Sequence, residues 1–199
     1  MELDYKYNKS ALNELNQQLK MRENALPTLK SKEAALRVEV KQARVKAREY
    51  DSLLAKEIRE SRDMMRLWAE FEKDLVRLNN VKYDTRTIAG VKIPVLAEME
   101  FDLAEISQWH KPDWFLDGIK ILQELTRLGL ERDVSKRAME LLDYARKKTT
   151  QKVNLYEKVQ IPAYNEAISK IKRFLEDEEN LSKAAQKIMK RKSENRLEK

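Results

Sequence analysis

Cysteine is absent from the 199 residues, histidine occurs once, and glycine and proline number only 3 and 4. Without cysteine there is no disulfide framework and no thiolate metal site, which fits a reducing compartment. A single histidine, His110, cannot complete a metal-ligand set, and beside Trp109 it reads as a loop histidine near aromatics rather than a general base. Scarce Gly and Pro, with abundant Ala, Glu, Lys, Leu and Arg, favour long helices over a sheet-rich domain. No apolar run approaches the roughly 20 residues that span a bilayer. The first residues, Met1 to Tyr5, lack the charged-then-apolar order of a secretory signal. These absences point to a soluble, intracellular protein with no membrane-inserted segment. Gly-rich phosphate loops, a nucleophile elbow and a dinucleotide fingerprint are also missing. No acid, base and nucleophile set converges, so the reading is a non-enzyme without a cofactor or metal.

What the sequence has in quantity is charge: 38% of residues, with a net charge of +7. Lys, Glu, Arg and Asp are rarely fully buried, which argues for exposed helix faces over a thick core. A basic balance admits nucleic acid, an anionic membrane surface or an acidic partner. Here Lys and Arg are interleaved with Glu along most of the chain, and only Lys183 to Lys199 is clearly basic. Lys190-Arg191-Lys192 has no interleaved aromatics and reads as a charged helix end rather than a phosphate grip. The four carboxylates Glu176 to Glu179 would point in four directions on a helix, so they form a solvated acidic patch instead of a cation site.

Apolar or small residues return at steps of three and four through Leu12, Leu15, Leu19, Leu26, Leu29, Leu36, Val40, Ala43, Ala47, Tyr50 and Leu54. Such a seam buries one narrow stripe of a helix against another helix. Asn8 or Ser10 can cap its start. Pro27 removes one backbone hydrogen bond and predicts a kink or short break. Beyond Leu54 the stripe widens through Ile58, Met65, Trp68, Phe71, Leu75 and Leu78, so the helix is expected to reach Asn79. Val81 to Leu96 then alternates as a hairpin turning at Ala89-Gly90, with Pro94 marking an edge strand. Trp68, Phe71, Trp109, Trp114 and Phe115 would pack where the hairpin and a short helix, Trp114 to Leu128 with Gly129 as C-cap, meet the long helices. A last long helix from Asp133 or Ser135 presents Ala138, Leu142, Ala145, Thr149, Tyr156, Val159, Ala163, Ala167, Ile171, Phe174 and Leu181, with a kink expected at Pro162.

The fold class is therefore all-α dominated: a long antiparallel two-helix coiled coil with a short helix and a small β-hairpin at the far end. Its parts are residues 1–79, the N-terminal long helix; 80–132, the hairpin and short-helix head; and 133–199, the C-terminal long helix with its basic tail.

Three stretches resemble the D subunit of the rotary V/A-type ATPases. Ser10-Ala11-Leu12 through Leu15, Leu19, Leu29-Lys30-Ser31-Lys32 and Leu36 is similar to that family's opening helix. Thr87-Ile88-Ala89-Gly90-Val91-Lys92-Ile93-Pro94 is similar to its hairpin, with Thr87 where asparagine is usual. Gln151 to Pro162, continued by Ile168, Ile171-Lys172 and Phe174 to Glu179, is similar to its most recognisable segment. Other departures are Pro27, Glu33 and Glu176. The resemblance implies a central-stalk rotor subunit that couples ATP hydrolysis or synthesis in a catalytic ring to H⁺ or Na⁺ translocation by rotation. It would be cytoplasmic and peripheral on the membrane-bound complex. The implied partners are the catalytic and regulatory ring subunits, the small F subunit of the central stalk and the subunit connecting to the membrane rotor, with no direct nucleic-acid contact. Implied partner-binding residues are Thr87, Ile88, Gly90, Val91, Ile93 and Pro94 in the hairpin and Lys187, Lys190 and Arg191 in the tail. The alternatives are a coiled-coil interaction scaffold unrelated to ATPases and a basic coiled-coil nucleic-acid binder.

Overall fold

The computed structural model describes residues 4–68, 71, 75–103 and 114–197. Helix α1 is Lys9–Glu60, followed by a 3-10 turn, Ser61–Met64, and the single-turn helix α2, Met65–Trp68. Strands β1, Val76–Ile88, and β2, Val91–Leu103, form one antiparallel hairpin. Helix α3 is Trp114–Asn154, and a π-turn, Leu155–Gln160, leads into α4, Ile161–Leu197. The fold is dominated by the long helix pair, with the hairpin as its only sheet among the described residues.

Helix α1 begins where an amide needs a partner: Ala11 N–H donates to Asn8 Oδ1 at 2.7 Å, satisfying one of the free donors of the first turn. Of the kink or short break expected at Pro27, the break does not occur: α1 continues through that residue. Pro27 and Glu23 both lie on the exposed face, so water can reach the carbonyl that loses its donor. All eleven residues of the seam from Leu12 to Leu54 are buried or half-buried.

The chain divides into two compact units: residues up to Ser31 with those from Thr149 onward, and Lys32–Lys148. In the first, Leu15, Tyr164, Ala167, Ile168 and Ile171 form a core flanked by Tyr5, Ala11, Leu12, Leu19 and Leu175. The pairing is antiparallel, because Gln18 meets Tyr164, Arg22 meets Gln160, and Lys30 meets Glu157. In the second, Leu36 and Val40 of α1 pack with Ala138 and Leu142 of α3 and with Ile93 of β2. Lys136 pairs with Asp51 there at 2.8 Å, again in antiparallel order. Fully burying a Leu or Ile side chain stabilises by about 1.5–3 kcal/mol, so these narrow cores depend on few residues.

Three sequence expectations change. The helix ends at Glu60, not Asn79, and Asn79-Asn80 lies inside β1. Asn79 is the extra residue of a bulge between the pairs Leu78↔Phe101 and Asn80↔Glu100. Its Nδ2 donates to Asp102 Oδ1 at 3.2 Å, and a bulge tolerates a residue that favours local hydrogen bonding. A second bulge leaves Ala97 unpaired on β2. The hairpin therefore extends beyond Val81 to Leu96 at its open end. Second, Gly129 does not cap a helix; α3 runs through it. Third, Pro162 follows a π-turn instead of marking a simple kink.

The aromatic residues gather as expected. Trp68 and Phe71 lie 5.2 Å apart, Phe71 and Phe115 stack at 5.3 Å, and Trp114 and Phe115 lie 4.6 Å apart between ring centroids. Gly118 admits Phe71 to the α3 backbone: a Cβ there would stand 3.0 Å from Phe71 Cε2. Trp109, His110 and Pro112 lie outside the described residues.

Candidate partner-binding surfaces

The hairpin turn is tight. Ala89 has φ 49° and Gly90 φ 76°, the two left-handed residues of a two-residue turn whose twist matches the strands. Its flanks face inward: Ile88, Ala89 and Val91 pack against the core of Leu36, Val40, Ile93, Ala138 and Leu142. Ile93 is buried, Ile88, Val91 and Pro94 are half-buried, and Thr87 and Gly90 are exposed. The hairpin motif is thus divided. Ile88, Val91 and Ile93 hold the turn to the helices, whereas Thr87 and Gly90 are presented outward. Beside them, a cavity of about 260 Å³ is lined by Pro94, Val95, Arg86, Lys46, Glu131 and Ser135, among others. The flank of the hairpin is charged: Lys82 Nζ donates to Glu98 at 2.8 Å and lies 3.6 Å from Glu100. These carboxylates raise the Lys82 pKa.

Lys187, Lys190 and Arg191 belong to the other unit and lie on α4, exposed. From Glu176 to Ser193 no residue of α4 is buried or half-buried. Leu181 and Met189 are each 72% exposed and Ile188 is 56% exposed. Leu181, Ala184, Ala185 and Ile188 repeat at helical spacing, which makes one apolar stripe. The Glu179–Lys183 ion pair at 2.7 Å is an ordinary i,i+4 surface contact. Among the described residues, no group of three or more His, Cys, Asp or Glu could hold a metal ion.

Sequence periodicity missed the inward Tyr164 and the ring contacts of Tyr7, although Tyr7 and Phe174 are themselves 47% and 46% exposed. Tyr164 is 3% exposed, with Oη donating to Gln18 Oε1 at 2.7 Å and the Arg22 guanidinium 4.5 Å from its ring centroid. Ahead of α1, Tyr7 lies 5.1 Å from the Phe174 ring and 5.6 Å from that of Tyr5. Burial pushes the Tyr5 phenol up, helped by its hydrogen bond to Tyr7. In the second unit, burial raises the Tyr50 phenol, and the neighbouring Glu131 carboxylate raises it further. Asp143 is held below the usual carboxylate range, first by its hydrogen bond to Lys147 and also by Arg146.

The chain thus combines a capped, antiparallel helix pair, a hairpin seated by an Ile-Ala-Gly-Val turn, and an uncovered helical end. Residues 11–191 match the family described as the D subunit of ATP synthase. The chain belongs to that family. It is 29% identical over 191 residues to the D subunit of V-type ATP synthase from Borreliella burgdorferi, covering 93% of each chain. Relatives of the same name come from Chlamydia muridarum, 28% identical over 96% of this chain and 97% of the relative, and Chlamydia pneumoniae, 28% identical over 98% and 95%. Membership of this family supports a central-stalk role in a rotary ATPase and disfavours the unrelated-scaffold and nucleic-acid readings. The helix-pair fold accords with a stalk part, and no helix among the described residues is long and apolar enough to cross a membrane.

Proposed function

We propose that this chain is the turning shaft of a V-type ATP synthase, with no active site of its own. The family match over residues 11–191 carries this reading. Torque transmission needs an element that binds several partners in turn without locking to one of them. A helix pair with a narrow internal seam and a charged outer surface meets that need. Unequal contacts on its sides would bias the catalytic interfaces of a surrounding ring into different states, which is a coupling free energy between sites.

The regions divide the work. The helix ends, residues 8–26 and 175–192, enter the ring of catalytic and regulatory subunits, with Lys187, Lys190 and Arg191 on the exposed end of α4. Thr87 and Gly90, with the half-buried Pro94, form the outward part of a hairpin surface for other stalk components, including the small F subunit and the connector to the membrane rotor. Ile88, Val91 and Ile93 act indirectly, by fixing that surface to α1 and α3. The location is peripheral, on the cytoplasmic side of the membrane-bound complex.

Co-expression with the catalytic and regulatory ring subunits tests the reading. The full chain should purify in a defined complex with ATP-driven rotation. A chain ending at Asn180 removes residues that are exposed wherever their burial is described, so it should keep its unfolding midpoint but lose stable assembly. Normal assembly and rotation of that truncated chain would refute the role given to the α4 end. Absence of any complex with the full chain would refute the shaft itself.

A further inference from the structure

The seam of the first unit contains one residue too many. Thr149 and Tyr156 face inward seven residues apart, and Tyr164 and Ile171 do so seven apart, yet Tyr156 to Tyr164 is eight. Val159, which a strict heptad would turn inward, is 38% exposed, and Tyr164 takes the inner place at 3%. In an α-helix each residue turns about 100°. One surplus residue would therefore swing Tyr164, Ala167, Ile168 and Ile171 off Leu15 altogether.

The π-turn absorbs the surplus. Ile161 N–H donates to the carbonyl of Tyr156, five residues back, so this turn holds one residue more than an α-turn. Pro162 fixes its downstream limit. It has no N–H for the Lys158 carbonyl, and its ring would crowd that carbonyl in α geometry. Within Leu155–Gln160 no residue is buried. The stretch is held by polar side chains of α1: Arg22 Nε donates to Gln160 Oε1 at 2.8 Å, and Lys30 Nζ to Glu157 Oε1 at 2.6 Å. Pro27 lies between those two anchors in α1, so the facing helix is also short of a backbone bond here.

We propose that Leu155–Gln160 is the point at which this helix pair yields to twist. The surplus residue shifts along the helix by exchanging i→i+5 for i→i+4 bonds, while the apolar seam on its C-terminal side stays seated. The exposed Lys30–Glu157 ion pair slips and re-forms at little cost, because such pairs contribute only about 0–1 kcal/mol, whereas the part-buried Arg22–Gln160 hydrogen bond has to re-form as the surplus moves. That twist is applied by a motor rests on the shaft reading above; the skip and its local softness do not.

The test compares three full-length variants. Pro162→Ala is the parent, the second adds deletion of Lys158, and the third adds deletion of the exposed Ser169 instead. Removing Lys158 should restore a continuous α-helix with Tyr164 and Ile171 still inward. Its urea midpoint should equal or exceed the parent's, and amide exchange over 155–161 should slow at least about tenfold. Removing Ser169 should lower the midpoint, since it turns Ile171 and Leu175 off the seam. Equal destabilisation by the two deletions overturns the skip. Wild-type exchange over 155–161 as slow as over 164–171 overturns the yielding role. Both readouts use the chain alone, so failure to join ring subunits would count only against the shaft reading.

Discussion

Tyr164 Oη donates to Gln18 Oε1 at 2.7 Å across the antiparallel seam, from a ring that is almost wholly buried. The bond fixes the register of α4 on α1, because Tyr164 belongs to the Leu15 core and Gln18 follows one turn later. Tyr164→Phe keeps the packing and removes a net contribution of about 1 kcal/mol. Tyr164→Ala also opens a cavity and should cost about 3–5 kcal/mol. Urea unfolding of both variants checks the order; equal losses would mean that the hydroxyl carries the whole effect.

Two glycines of α3 should respond in opposite directions to the same substitution. A Cβ at Gly118 meets Phe71 Cε2 at 3.0 Å, whereas at Gly129 nothing lies within 4 Å. Gly118→Ala should destabilise by about 1–3 kcal/mol through overpacking. Gly129→Ala should stabilise by about 0.8–1 kcal/mol through helix propensity alone. Thermal melts of the two variants separate close approach from open surface.

Much of this is legible from residue spacing. The seam from Leu12 to Leu54 is inward at every position because a two-helix contact allows only one stripe, and apolar period reports that stripe directly. Spacing fails where a local signal is overruled. Gly129 resembles a helix stop, but its cost of about 1 kcal/mol is small against the packing of Phe115, Ile119, Ala138 and Leu142 along the same helix. Asn79-Asn80 resembles a helix end, yet Asn79 is a bulge bonded to Asp102 across the hairpin, a long-range pairing that no local window contains. Val159 reads as inward only when the heptad of Thr149 and Tyr156 is carried on past Tyr156, and the π-turn resets that count. In the candidate partner surface, residue type marks the Ile-Ala-Gly-Val turn but not its inner and outer sides.

The turn itself offers a third test. Ala89 sits at φ 49°, where its Cβ crowds the backbone at a cost of about 1–2 kcal/mol. Ala89→Gly should relieve part of that strain and raise stability by up to about 1 kcal/mol. Gly90→Ala, at φ 76° and with Lys32 Nζ 3.4 Å from the new Cβ, should lower it by about 1–2 kcal/mol. Denaturant midpoints of the pair read the sign change between adjacent positions.

Asp143 predicts a pH dependence. Its folded-state pKa is lowered by Lys147 and Arg146, so the unfolded chain binds its proton more readily. The stabilisation is therefore present above the unfolded value, near pH 4, and is lost as pH falls through the lowered folded value. Asp143→Asn should destabilise at pH 7 and make little difference well below the folded pKa. A gap between wild type and variant that stays constant across an acid titration would show that the charge is not its source.

Ile93 and Thr87 separate the support of the hairpin from its outward surface. Ile93 is part of the buried core with Leu36 and Leu142, whereas Thr87 is exposed on the paired strand opposite Lys92. Ile93→Ala should cost about 2–5 kcal/mol in the isolated chain. It should weaken association with a stalk partner indirectly, by letting the turn leave the helices. Thr87→Ala should change stability by no more than about 0.5 kcal/mol, so any loss of association must arise at the contact itself. Unfolding of the isolated variants, followed by co-purification with the stalk and ring subunits, distinguishes the two routes. If Thr87→Ala binds normally and only Ile93→Ala fails, the hairpin serves the complex through its attachment to the helices, and the partner contact does not include Thr87.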